Sequence, residues 1–376
     1  MPEGPGDAPR DLHRRLEGYQ PTPLIDLPEL AARLGVGRVL VKHERERFGL
    51  PAFKIMGASW ATYCALTERL GHEPDWSTLD DLREAFEAIR PLTFVTATDG
   101  NHGRGVAWVA RWFGVDAHIF VPADTVTARI DAIESEGAVV TVVDGDYVAA
   151  VAAASATASD DRLVISDTSW PGYTDVPARI AEGYSTIYSE IDEQLAFLGV
   201  DSATGVTAVL TPVGVGALAV AALHHWPDGS SAGPTHIAVE PIAANCLLRS
   251  LEAGEPVTVP GPHDSIMAGL NCGTVSMIAW PIMRDGFDWS VAIDDEAAAE
   301  AMRLLADEGI VAGETGAATV AALISLSRDP DVDREAMRLG HDAVVLLIIT
   351  EGATDPEKYR EIVGRDAADV GAGREP

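Results

Sequence analysis

Lysine is almost missing from this chain: Lys42, Lys54 and Lys358 are the only three in 376 residues, so 24 of the 27 basic side chains are arginine. Any lysine is therefore a position to question. Basic charge as a whole is scarce, 27 residues against 58 acidic ones, for a formal net charge of −31. That balance excludes nucleic acid as a partner, because phosphate binding needs clustered cations to displace counterions. Cysteine is equally sparse. Cys64, Cys246 and Cys272 have no CxxC or Cys/His ligand spacing, which excludes a zinc site legible in sequence, and no metal is expected. Cys246 and Cys272 could meet only through the tertiary fold, and a reducing compartment favours two buried thiols. No apolar run approaches the roughly 18 residues of a membrane span, and residues 1–20 lack an apolar signal core. A soluble cytoplasmic protein without a membrane partner is expected.

What is present is core. Hydrophobic residues make up 47% of the chain, enough for one large domain or two smaller ones. The acidic excess reads as a solvated surface suited to a saline interior, with steering of a cationic substrate as the alternative. Short Val/Ile/Leu runs recur at 38–43, 92–98, 117–122, 138–144, 162–167, 208–213, 235–241 and 343–350. Helix-length segments such as Gly103 to Phe113 and Val126 to Glu136 lie between several of them, with apolar residues three and four apart. Continuous apolar strands separated by helices predict an α/β protein with parallel sheets covered on both faces. The spacing places a small α/β domain at 86–188, inserted into a large domain made of 1–85 and 189–376.

Three segments carry chemistry. In Phe48 to Ser59 a Gly/Pro loop runs into an apolar helix near Lys54. A lysine flanked by Phe53, Ile55 and Met56 is partly desolvated, which favours a nucleophilic amine, although a lysine snorkelling from a core would read alike. In Leu92 to Ala107 a strand ends in the polar turn Thr98-Asp99-Gly100-Asn101-His102 and opens onto a helix, the place where doubly wound sheets bind ligands. A plain capping turn by Asp99 or Asn101 is the simpler reading. In Val209 to Ala219 a strand, Gly214-Val215-Gly216 and a helix form a phosphate cradle. The same unit matches a dinucleotide fingerprint, with Glu240 where a ribose partner would stand, so a nicotinamide-dependent dehydrogenase competes.

With these segments the chain resembles the pyridoxal-phosphate enzymes of the tryptophan synthase β-like, fold type II, family, and within it the diaminopropionate ammonia-lyases. The resemblance runs from Gly18 to Arg360 and rests on residues 47–54, 97–107, 167–174, 266–273, 313–317 and 350–352, with Asp99 pointing to the ammonia-lyases. It implies two doubly wound α/β domains with pyridoxal 5'-phosphate in the cleft between them, a small amino-acid substrate and a homodimer. Lys54 matches the Schiff-base lysine, Phe53 a residue at the cofactor ring, and Asn101 the partner of its phenolic oxygen. Gly214, Val215, Gly216 and Ala217 match the phosphate loop, and Thr350 the partner of the pyridine nitrogen. Thr98, Gly100 and His102 fall in the turn that grips the substrate carboxylate.

Asp99 and Asp167 resemble the two acidic residues of the ammonia-lyase site. The implied reaction is elimination on 2,3-diaminopropionate through a Lys54 aldimine and aminoacrylate, giving pyruvate and two ammonia. Lys54 suits proton removal from one enantiomer and Asp99 from the other. Either carboxylate serves as the acid for the leaving amine if its pKa is raised. The chain departs from the family at Lys42-His43-Glu44-Arg45 and at Ile349, where a hydroxyl residue is usual. A serine/threonine-type dehydratase, a β-replacement synthase and a cofactor-binding protein without turnover remain the alternatives.

Overall fold

The computed structural model describes residues 6–98, 100–226 and 233–371. Two compact units emerge, one of residues 1–4, 21–46 and 187–376, the other of 5–20 and 47–186. The α/β class and parallel sheets expected from the sequence are present. The boundary expected at 85/86 is not: residues 47–85 cluster with the smaller unit. The reason is a helix contact that strand counting does not reveal. Helix Ile55–Leu70 packs on helix Asp175–Gly183 and on helix Asn101–Phe113.

The larger unit holds a six-stranded sheet in the order β1-β2-β10-β7-β8-β9, with β1 Leu24–Asp26, β2 Arg38–His43, β7 Ala208–Pro212, β8 Thr235–Pro241, β9 Trp289–Ile293 and β10 Val344–Ile349. Only the β1–β2 pair is antiparallel. β7 and β8 are buried at every residue, which explains their unbroken apolar character. Helix Ala318–Arg328 is buried along nearly its whole length and packs against β7 to β10. β1 and β9 were not legible in the sequence: β1 has three residues, and the half-exposed β9 lacks an apolar run.

The smaller unit holds a four-stranded parallel sheet in the order β5-β4-β3-β6, with β3 Thr93–Ala97, β4 Asp116–Pro122, β5 Val139–Val143 and β6 Arg162–Val164. From β3 the chain winds outward through β4 to β5, then returns to lay β6 on the other side of β3. In the larger unit β7 likewise leads outward to β8 and β9, and β10 returns to its other side. Each sheet thus has a reversal of winding, between β3 and β6 and between β7 and β10. Crevices at the carboxyl ends of such strands are where open α/β sheets bind ligands.

Helices Ile55–Leu70 and Asp175–Gly183 cross backbone to backbone at Gly57 and Gly183. A Cβ on Gly57 would stand 2.8 Å from the Ile180 carbonyl oxygen, and one on Gly183 2.5 Å from that of Met56. The Gly57→Ala variant is expected to lose about 2–3 kcal/mol of stability through this overpacking, read as a lower urea midpoint.

Candidate active site

Lys54 is the N-cap of helix Ile55–Leu70, in keeping with the helix start expected near it. Its Nζ donates to Asp167 Oδ2 at 2.8 Å, with the two side chains 20% and 7% exposed. The Lys54 amine also lies 5.5 Å from the Phe53 ring centroid. Asp167 follows β6, so the pair forms at the β3/β6 reversal. Tyr147 donates its hydroxyl to the other carboxylate oxygen at 3.4 Å.

Burial pushes the Asp167 carboxyl upward, but Lys54 first and then His102 outweigh it and hold the pKa down to about 2. The condition set for a proton donor, a raised pKa, is not met at Asp167 while Lys54 stands beside it. Beside a cationic Lys54, Asp167 is an ionised counter-charge.

The loop bearing Asp167 is fastened to its strand. The Tyr173 hydroxyl donates to the Val164 carbonyl at 2.8 Å and accepts the Ser166 N–H at 2.9 Å. Trp170 and Tyr173 exchange backbone hydrogen bonds and stack with centroids 4.2 Å apart. The aromatic residues of the 167–174 motif are thus the clamp that presents Asp167.

At the end of β3 the turn is shaped by Thr98. Its buried Oγ1 accepts the N–H groups of Gly100 at 2.9 Å and Gly103 at 3.0 Å, a capping contribution the sequence reading did not foresee. Gly100 has φ +149°, outside the reach of ordinary side chains. Asn101 begins the following helix. His102 is buried, and its Nε2–H donates to the Ile165 carbonyl at 2.8 Å, tying the β3 turn to the chain leaving β6. This contact makes His102 a brace between strand ends. Asp99 lies outside the described residues.

The β7/β10 reversal holds the remaining candidates. Gly214-Val215-Gly216 follows β7, and Gly216, at φ +106°, caps helix Ala217–His225 with no side chain closing its N-terminus. Unclosed N–H groups at a helix start, with the helix dipole behind them, suit a phosphate. The turn has no room for side chains: a Cβ on Gly214 would lie 3.1 Å from the Gly269 carbonyl oxygen, and one on Gly216 2.6 Å from Met283 Sδ. Thr350 follows β10, and its buried Oγ1 has no hydrogen-bond partner among the described residues. An uncapped anion cradle and an unanswered hydroxyl at adjacent strand ends fit the phosphate and pyridine nitrogen of a pyridoxal phosphate.

The dinucleotide alternative meets an obstacle at Glu240. Both of its carboxylate oxygens are already bound, to the N–H groups of Leu247 at 2.7 Å and Leu248 at 2.8 Å. The side chain is also fully buried, so it presents no exposed carboxylate to a ribose. Neither Cys246 nor Cys272 is in a disulfide, and no group of potential metal ligands occurs among the described residues.

Fold and site together define an α/β enzyme of pyridoxal-phosphate fold type II. Residues 15–351 match the family model described as pyridoxal-phosphate dependent enzyme. The chain belongs to that family, and its cofactor is pyridoxal 5'-phosphate. It is 39% identical over 363 residues to the diaminopropionate ammonia-lyase of Escherichia coli strain K12, spanning 94% of this chain and 90% of that protein. The crystal structure of the Escherichia coli enzyme with D-serine is similar with a TM-score of 0.86 at 37% identity, covering 94% of this chain and 90% of that one. The complex of that enzyme with an aminoacrylate-PLP azomethine reaction intermediate gives 0.84 at 36% identity, covering 96% and 92%.

Sequence reasoning passed over Tyr147, Tyr173 and His43. The aromatic pair Trp170/Tyr173 inside a short polar loop was a usable signal; Tyr147 offered none. His43 ends β2, and its Nε2–H donates to the Val311 carbonyl at 2.8 Å. Burial lowers its pKa to about 4, against a partial upward pull from that hydrogen bond.

Two outcomes are expected. Because folded His43 resists a proton that the unfolded chain accepts, stability falls as pH drops from about 6.5 toward 4, by up to ~1.4 kcal/mol per pH unit from this group. Urea midpoints of wild type and His43→Gln across that range should converge at the acid end if the variant removes this dependence. Tyr173→Phe strands the Val164 carbonyl and the Ser166 N–H, costing about 1–3 kcal/mol. Hydrogen exchange at the Ser166 amide should accelerate accordingly.

Proposed function

We propose that this chain is an ammonia-lyase that eliminates both nitrogens of 2,3-diaminopropionate, with water, to give pyruvate and two ammonia. The Lys54–Asp167 pair carries this reading: an amine for the α-proton beside an ionised carboxylate able to receive the cationic β-amine. The near full-length likeness to the Escherichia coli diaminopropionate ammonia-lyase supports it.

When bound, the cofactor supplies the electron sink that delocalises the negative charge left at Cα. In this proposal Lys54 carries it, Phe53 lies at its ring and Asn101 bonds its phenolic oxygen. The N–H groups of Gly214 to Ala217 bind its phosphate, and Thr350 meets its pyridine nitrogen. The Thr98–His102 turn receives the substrate carboxylate through Thr98 and Gly100, with His102 bracing the turn from behind its own hydrogen bond. The Lys54 amine takes the α-proton of one enantiomer and Asp99 that of the other.

Asp167 answers the charge of the β-ammonium. As Lys54 gives up its own charge, the buried carboxylate loses the neighbour that held its pKa down, and burial then drives it up toward proton exchange with the leaving group. The acidic surface does not oppose arrival of a cationic diamine. A homodimer in the cytoplasm is part of the same proposal and rests on the family resemblance.

The direct test is a substrate screen reading pyruvate and ammonia together. Two ammonia per pyruvate from the diamine is the expected result. One ammonia per pyruvate from serine, or per 2-oxobutyrate from threonine, with no turnover of the diamine, would assign the chain to the hydroxyl-eliminating dehydratases. Lys54→Ala should abolish the visible absorbance of the protein-bound cofactor. Asp99→Asn and Asp167→Asn should each lower turnover of at least one enantiomer by about 10²–10⁴-fold. Unimpaired turnover of both enantiomers by both variants would remove the carboxylates from the mechanism.

A further inference from the structure

Tyr184 follows the last turn of helix Asp175–Gly183, and its side chain is fully buried. Its hydroxyl has no hydrogen-bond partner among the described residues. The ring lies with its centroid 4.7 Å from that of Phe53, the same ring whose centroid is 5.5 Å from Lys54 Nζ. Tyr184 and the Lys54 amine are therefore neighbours through one aromatic ring. The seat is tailored: a Cβ on Gly57 would come within 2.7 Å of Tyr184 Cε1, so the glycine helix crossing also makes room for this ring.

A buried hydroxyl without a partner costs stability, and phenylalanine would fill the same space without that cost. Burial first, with Lys54 opposing and Asp167 adding to it, pushes the phenol above its ordinary pKa. It stays protonated and is a donor, with no capacity as a base at neutral pH. A buried donor of this kind calls for an acceptor.

That acceptor follows from the ion pair. Lys54 cannot remain bonded to Asp167 while it carries the cofactor, and a buried carboxylate stripped of its counter-charge needs replacement donors. We propose that Tyr184 is a positioning residue for Asp167: when Lys54 turns to the cofactor, the Tyr184 hydroxyl donates to the carboxylate and keeps it in place. The inference deepens the elimination reading above and rests on it.

The test compares wild type with Tyr184→Phe in three measurements: melting of the apoprotein, the rise in melting temperature on adding pyridoxal phosphate, and kcat/KM against pH. The apo variant is expected to melt at or above wild type, because the hydroxyl it loses is unpaired there. Its gain on binding cofactor should be smaller. The limb of the pH profile that Asp167→Asn removes should move up by about one pH unit, since a carboxylate that loses a donor protonates more readily.

An apo variant that melts several degrees below wild type, or cannot be isolated folded, would show the hydroxyl already bonded in the empty protein and overturn the proposal. So would an unchanged cofactor gain together with an unchanged pH profile. If wild type releases no pyruvate from either enantiomer, the elimination reading fails, while the two melting comparisons still decide the role of Tyr184.

Discussion

A carboxylate with almost no access to water must be given a counter-charge or lose its own, and the smaller unit is organised around that demand at Asp167. Lys54 supplies the charge at 2.8 Å, and His102 adds to it electrostatically. Each supporting piece is held by the backbone. Lys54 is fixed as the cap of a helix whose position is set by the Gly57/Gly183 crossing. His102 is pinned to Ile165, and Asp167 sits on a loop that Tyr173 ties to β6. A buried ion pair built this way adds little net stability compared with apolar packing. It does give the unit a charge arrangement that changes as soon as Lys54 changes partner.

Parallel topology explains why chemically useful residues gather where they do. Parallel strands cannot be joined by tight hairpins, so each strand ends in a loop that feeds a helix, and all carboxyl ends fall on one edge of the sheet. At the β3/β6 reversal that edge presents the Thr98–His102 turn and Asp167. At the β7/β10 reversal it presents Gly214 to Ala217 and Thr350. In each unit two segments distant in the chain become neighbours because the winding turns back on itself. The helix that starts after β7 contributes N–H groups that no side chain caps, whereas the turn after β3 spends the Thr98 hydroxyl on the N–H groups of Gly100 and Gly103.

The three lysines divide by environment. Lys42 is wholly buried with Glu190, its Nζ donating at 2.7 Å to that carboxylate and at 2.7 Å to the Thr22 carbonyl. It fastens the chain before β1 to helix Ser185–Phe197, and removing one partner would leave a buried charge. Lys358 pairs with Glu361 on an exposed helix turn, where screening leaves such a pair little weight. From sequence, Lys42 looked as ordinary as Lys358, because an alternating or apolar strand does not disclose which distant acid it will face. The arginines mostly lie at or near the surface in pairs such as Arg328–Glu300 and Arg303–Glu296, consistent with an acidic, solvated exterior.

The sequence alone determined the α/β class, eight of the strands, a helix start near Lys54 and a helix opening from the Thr98–His102 turn, and the glycine cradle after β7. Each of these is written in local periodicity, in Gly at turn positions, or in an apolar run of strand length, so nearest neighbours along the chain suffice to read it. Only the tertiary structure decided that residues 47–85 join the smaller unit, that the Thr98 hydroxyl accepts two N–H groups of the turn after β3, and that Glu240 accepts the N–H groups of a helix start. The same holds for the direction of the Asp167 pKa and for the unmet hydroxyls of Tyr184 and Thr350. Those properties depend on burial and on partners up to 113 positions away. Charge and hydrogen bonding in a dry interior are settled by the distances the fold imposes, and no local pattern encodes them.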